Sequence, residues 1–147
     1  MWDGYLQAAS DFVKEHDDVK AKIVVDRFHV AKNYRERFDT LRKKEFKRLK
    51  RELSADVYER DCKGMLWIFR KNHSSLTPEE RQRLRRLFRH SPLLHQAYTF
   101  REELTAIFNR PFSVAQAERV VRSWCHKVRL SPVRCYNPVS YTHLTLP

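Results

Sequence analysis

The sequence predicts a mainly α protein, with a helix and one β-strand at the start of the chain followed by a long all-helical array. Three observations carry that prediction. Only two glycines occur in 147 residues, while 41% of the residues are apolar and 33% are charged, a composition that favours helix over sheet. Apolar side chains recur at helical spacing along most of the chain. Helix starts are written out at Thr77-Pro78-Glu79-Glu80, at Ser91-Pro92 and at Ser113-x-x-Gln116, where a hydroxyl can accept from an unpaired first-turn N–H. The length is that of one domain with a single core.

Taken in order, residues 3–16 place Tyr5, Leu6, Ala9, Phe12 and Val13 on one face and predict a helix. A polar turn at His16, Asp17 and Asp18 precedes residues 23–26, where Ile23, Val24 and Val25 are all β-branched, the pattern of a short buried strand ending at Asp26. Residues 30–53 carry Phe38, Leu41, Arg42, Glu45, Phe46, Leu49 and Leu53 in an i, i+3/i+4 seam, predicting one long helix. Its outer face is very basic: residues 27–51 hold 11 Lys and Arg against 3 acids.

After Gly64, the group Met65, Leu66, Ile68 and Phe69 around Trp67 predicts a short buried helix. Thr77 then caps a helix with Pro78 in its first turn and Glu80 closing a capping box. Leu84, Leu87 and Phe88 face inward from it, and Arg81, Arg83, Arg85, Arg86 and Arg89 largely outward. Ser91-Pro92 opens the next helix, which runs to about Asn109 and is broken at Arg110-Pro111. The last helix starts at Ser113 and turns Val114, Ala117, Val120, Val121 and Trp124 inward; after Val128 the pattern dissolves. No internal repeat or low-complexity tract is present.

Lys and Arg number 30 against 18 acids, a net charge of +12 and a pI near 10.0. A polyanion is the natural partner. No apolar run is long enough to cross a bilayer and no signal peptide opens the sequence, which favours nucleic acid over an acidic membrane. The three cysteines, Cys62, Cys125 and Cys135, are an odd number in no C-x-x-C spacing. That argues against a disulfide framework or zinc site and fits a reducing, cytoplasmic setting. Cys62 and Cys125 are expected as buried thiols, and no spacing suggests a covalent mechanism.

The stretch IVVDRFHVAKNYRERFDTLRKKEFKRLKREL, with the Trp67 region, the Leu76-Thr77-Pro78-Glu79-Glu80 turn, the run Ser91-Pro92-Leu93-Leu94-x-x-Ala97-Tyr98 and Trp124, closely resembles the ISL-three family of DDE insertion-sequence transposases. The resemblance runs from Met1 to about Cys135. Its most specific pieces are Asp26-Arg27-Phe28-His29 and the Ser-Pro-x-Leu-x-x-Ala-Tyr run.

That resemblance implies an RNase H-like sheet whose two aspartates and a glutamate bind two divalent metals, Mg²⁺ in the intact enzyme, for two-metal phosphoryl transfer. It implies DNA, at insertion-sequence ends, as the partner, with self-association in a transpososome and a bacterial, nucleoid-associated setting. In the family one aspartate stands directly before the Met-Trp-Asp-Gly-Tyr stretch, another lies further upstream, and the glutamate lies downstream near an Asn-Gly pair. None of these is in this sequence, so the chain is expected to be an internal fragment, inactive alone. On this reading residues 1–29 are a partial catalytic core, residues 30–138 a helical insertion. Residues 139–147 are expected to be an adapter-derived tail, because Val139-Ser140-Tyr141-Thr142-His143-Leu144 is one translation of a library-preparation adapter.

Asp26 and His29 stand at a strand end, where sheets gather their active sites. Asp26 is a candidate metal ligand and catalytic acid; the competing reading has it cap the following helix. His29 is a candidate for orienting such a ligand. Lys32, Arg35, Arg42, Lys43, Lys44, Lys47, Arg48, Lys50 and Arg51 lie on a helix too basic for a merely solvated face and are expected to contact phosphates. Arg85 and Arg86, among the five arginines of the Thr77-capped helix, repeat the argument, balanced by solubility or contact with a transposase partner. Trp2, Trp67 and Trp124 fall on apolar faces, which predicts core packing over base stacking. The competing function is a non-enzymatic basic helical module that binds nucleic acid or regulates a partner.

Overall fold

A computed structural model of the chain describes residues 27–137, with side chains from Val30 onward apart from Val114. The helix expected over residues 3–16, the strand over 23–26 and Asp26 itself lie outside the described residues.

Six α-helices and two short 3-10 turns make up the described region: α1 (Arg27–Glu52), α2 (Ala55–Asp61), α3 (Met65–Arg70), a turn at His73–Ser75, α4 (Pro78–His90), α5 (Pro92–Asn109), α6 (Val114–Leu130) and a turn at Arg134–Tyr136. The central element is α5, packed against α1, α4 and α6. The sequence explains that place: α5 buries Leu94, Ala97, Tyr98, Phe100, Arg101 and Leu104, too many positions for a single stripe.

Across from it, α1 buries Val30, Tyr34, Phe38 and Leu49, and Tyr34 shares a hydrogen bond with Thr105 Oγ1 of α5 at 3.0 Å. Phe69 of α3 joins this layer edge-on to Phe38, ring centroids 5.1 Å apart, and lies 6.0 Å from Tyr98. Each such ring taken out of water is worth about 1.5–3 kcal/mol. At the other end of α5, Trp124 of α6 is 2% exposed and its Nε1 donates to the Phe100 carbonyl at 2.9 Å; for Trp124 the core reading holds.

All three capping signals form. Thr77 accepts from the Glu80 N–H at 3.2 Å while the Glu80 carboxylate accepts from the Thr77 N–H at 3.0 Å, and Ser113 and Gln116 do the same at 3.3 and 3.0 Å. Ser91, fully buried, accepts from Leu94 N–H at 3.2 Å. Gly64, at φ 74°, turns the chain from α2 into α3, a left-handed backbone that strains any residue with a Cβ.

Two expectations are corrected. Trp67 is not in the core: it is 66% exposed. Five consecutive apolar residues cannot all face inward from a helix of 3.6 residues per turn; Met65, Ile68 and Phe69 take the buried side of α3, and Trp67 falls opposite them. The order also does not dissolve after Val128. Ser131 accepts from Val133 N–H at 3.1 Å, Val133 and Tyr136 are fully buried, and the Tyr136 hydroxyl donates to the Ala97 carbonyl at 3.1 Å.

Candidate nucleic-acid interface

The candidate surface begins on α1, and its shape follows from helical spacing. Lys43, Lys47 and Lys50 stand at i, i+4 and i+7, with Lys44 and Arg51 at i+1 and i+8, so the five form one stripe. All five are exposed, as are Lys32 and Arg35 nearer the start of the helix. Most acids in this stretch are buried or engaged: Glu45 is buried, Asp39 is paired with Arg42 at 2.6 Å and Lys43 at 3.1 Å, and Glu52 is paired with Arg48, while Glu36 is exposed seven residues before Lys43. From Lys43 to Arg51 the outer face is therefore positive without interruption.

The other nominated arginines are differently placed. Arg42 lies with its guanidinium 5.4 Å from the Phe46 ring and its side chain 12% exposed. Arg48 donates to Glu45 Oε2 at 2.8 Å, to Glu52, and to the His90 carbonyl at 3.2 Å. Burial of Glu45 raises its carboxyl, but hydrogen bonds from Arg48 and Ser91 outweigh that and hold it below the usual range.

On α4, Arg85 and Arg89 are exposed and flank Arg86 along a shallow depression with Gln82. Arg86 also reaches the end of α2, its Nε 2.9 Å from Asp61 Oδ1, and Arg83 donates to the Lys63 carbonyl at 2.5 Å. Asp61 is 1% exposed and also meets Arg60 Nε at 2.9 Å and His90 Nε2 at 3.0 Å. The Arg60 hydrogen bond leads in holding its carboxyl well below the usual aspartate range; burial opposes, and His90 and Arg86 add to the lowering. A carboxylate saturated by three donors is a structural tie.

A groove of about 640 Å³ opens between α1, α3 and α5, with Arg35, Lys43, Arg70 and Lys71 among the residues of its wall. Arg101 reaches it from α5, nearly buried, its guanidinium 4.4 Å from the Tyr98 ring and donating to the carbonyls of Phe69 and Lys71, the latter at 3.3 Å. It closes the end of α3.

No group of three or more His, Cys, Asp or Glu among the described residues is placed to hold a metal. The two buried carboxylates, Asp61 and Glu45, have their oxygens engaged by donors, so the described residues do not fit a two-metal centre. Asp26 lies outside them, and of His29 only the backbone, in the first turn of α1, is described. The thiols offer no nucleophile: burial pushes Cys62 up to about 11 and Cys135 up to about 12, and raises Cys125 as well. No helix among the described residues is long and apolar enough to cross a membrane.

Comparison with known families decides which family the chain belongs to. A family model described as a transposase, that of the ISL-three DDE enzymes, matches residues 1–142, almost the whole chain. The chain belongs to the ISL-three family of DDE transposases. No curated protein and no solved structure matches it. Membership in this transposase family gives DNA as the partner class and a divalent metal as the cofactor class. The match reaches into the segment 139–147 read above as adapter-derived.

What the sequence missed on this surface is pairing: Asp61 with Arg60, Arg86 and His90, and Arg101 under the groove. Apart from Arg60 beside Asp61, nothing in the local pattern announces these contacts, since each of the others joins different helices or a helix to a loop. The exposure of Trp67 did have a signal, the impossibility of burying every side of a short helix.

Proposed function

We propose that this part of an ISL-three transposase holds DNA by its phosphates, with the outer face of α1 laid along the backbone, while bond breaking in the intact enzyme uses Mg²⁺ and carboxylates outside the described residues. One observation carries the reading: the positive stripe of Lys43, Lys44, Lys47, Lys50 and Arg51, within which the one acid, Glu45, is buried, and whose last four cations have no acid four residues before or after them. A merely solvated helix mixes signs at i, i+4. Lys43 already meets Asp39; the exposed cations Lys44, Lys47, Lys50 and Arg51 are the ones left to attract a polyanion and release its counterions on contact.

Arg85 and Arg89 on α4 extend the reading as a second contact. Arg42, Arg48 and Arg86 support the surface from beneath by fixing Asp39, Glu45 and Asp61. No arrangement suggests base-edge readout, so the surface grips without selecting sequence.

Replacing Lys44, Lys47 and Arg51 together by Glu tests this. Duplex binding measured by electrophoretic mobility shift at low salt should be lost while the far-UV circular dichroism is kept. Binding equal to that of the unaltered chain would overturn the assignment of α1.

A further inference from the structure

Helix α1 runs antiparallel to α5: Tyr34 meets Thr105, and four residues on, the Phe38 ring lies 5.3 Å from the Arg101 guanidinium and 6.4 Å from the Tyr98 ring. The start of α1 therefore lies toward the end of α5, which stops at Asn109. Just there a second groove, of about 280 Å³, opens between α5 and α6. Ile107, Phe112 and Val120 line it half-buried, and its rim carries Arg110 and Lys127 against one acid, Glu103. Farther along the side of α6 marked by Val120, Ser123 and Lys127, Leu130 stands 75% exposed. Apolar surface in a continuous run marks a contact site.

One segment of the chain has the complementary pattern. Residues 3–16 place Tyr5, Leu6, Ala9, Phe12 and Val13 on one helical face, with Asp11 and Glu15 four residues apart along its flank. As a helix the segment would be about 21 Å long, and Val120 to Leu130 spans about 15 Å along α6. Residues 17–26 join it to α1, a tether that extends to about 33 Å at most. Because α1 starts level with the end of α5, that tether reaches the groove around Arg110 and keeps the segment at high effective concentration beside it. A DNA duplex has no apolar face to offer Ile107, Phe112 and Val120. The same face of a second copy would bring the same surplus of positive charge.

We propose that residues 3–16 seat as a helix along the groove between α5 and α6, their apolar face on Ile107, Phe112, Val120 and Leu130, with Asp11 and Glu15 drawn to the cations of the rim. The mode is that of an amphipathic helix laid in an apolar groove. On the reading of residues 1–29 as part of the catalytic core, this groove is the seam at which core and helical insertion meet. The inference does not depend on the reading of α1 as a DNA-holding surface.

Amide hydrogen exchange of the full chain, read by mass spectrometry, tests this. Residues 3–16 should exchange roughly a hundred-fold more slowly than the same sequence as a free peptide, about what two large apolar side chains leaving water provide. Val120→Glu and Leu130→Glu should each remove most of that protection while the amides of α1 and α4 keep theirs. Leu130 is exposed, so its substitution leaves the fold intact even if that of Val120 does not. Free exchange of residues 3–16 in the unaltered chain overturns the proposal. Protection that persists in Leu130→Glu puts the apolar face against another surface, such as a sheet, and overturns it too. Protection that fades on dilution shows docking between two copies and likewise contradicts a seat within one chain.

Discussion

The Nε of Arg86 lies 2.9 Å from Oδ1 of Asp61, joining α4 to the end of α2 through a carboxylate that is 1% exposed. Arg60 and His90 complete its shell. The burial is shallow, since Arg60 itself is well exposed, and the arginine side chains are what shut out water. An arginine that looks free in the sequence is thus part of the scaffold.

Stability should therefore respond to acid through Asp61. Its folded carboxyl sits below the usual aspartate range, so the folded state holds that proton less tightly than the unfolded chain does. The contribution is complete above about pH 4 and is lost progressively as pH falls below it. Asp61→Ala should cost about 2–3 kcal/mol at neutral pH, somewhat below the range for a deeply buried broken pair. Urea titrations at pH 7 and pH 3 should show the difference between this variant and the parent shrinking with acid.

Ser91 does two jobs with one hydroxyl: it donates to Glu45 Oε2 at 2.5 Å and accepts from the Leu94 N–H at 3.2 Å. Ser91→Ala removes the cap of α5 and leaves a buried carboxylate short of a donor. A loss of about 2 kcal/mol is expected, read as a lower urea midpoint with an unchanged m-value.

Arg48 and Lys47 are neighbours in sequence with opposite prospects. Arg48 binds the buried Glu45, whereas Lys47 faces solvent on the positive stripe. Arg48→Ala should lower Tm by several degrees, on the order of 2 kcal/mol, and leave the salt dependence of DNA binding nearly as it was. Lys47→Ala should leave Tm in place and reduce the log–log salt slope by about 1. Differential scanning calorimetry beside binding isotherms separates the two.

Where the information is local, the sequence was readable. The starts of α4, α5 and α6 are legible in Thr77, Ser91 and Ser113 because a cap needs only neighbours a few residues away, and the long α1 is legible in its apolar seam. Helix α2 went unread: ADVYERD offers Val57 and Tyr58 and little else to mark a buried face, and Ser54 at its start makes no side-chain cap. Tyr136 went unread because its burial depends on Ala97, 39 residues away. The basic faces of α1 and α4 were legible as charge, but which arginines they keep was not, since Glu45 and Asp39 on α1 and Asp61 beside α4 select their partners in three dimensions.

The central claim, that α1 holds DNA by its phosphates, is met most directly by the affinity for a short duplex measured across a series of salt concentrations. If Lys32, Lys43, Lys44, Lys47, Lys50 and Arg51 each release a counterion, log K against log salt falls with a slope of about −5. A slope near zero, or no binding at low salt, would contradict it.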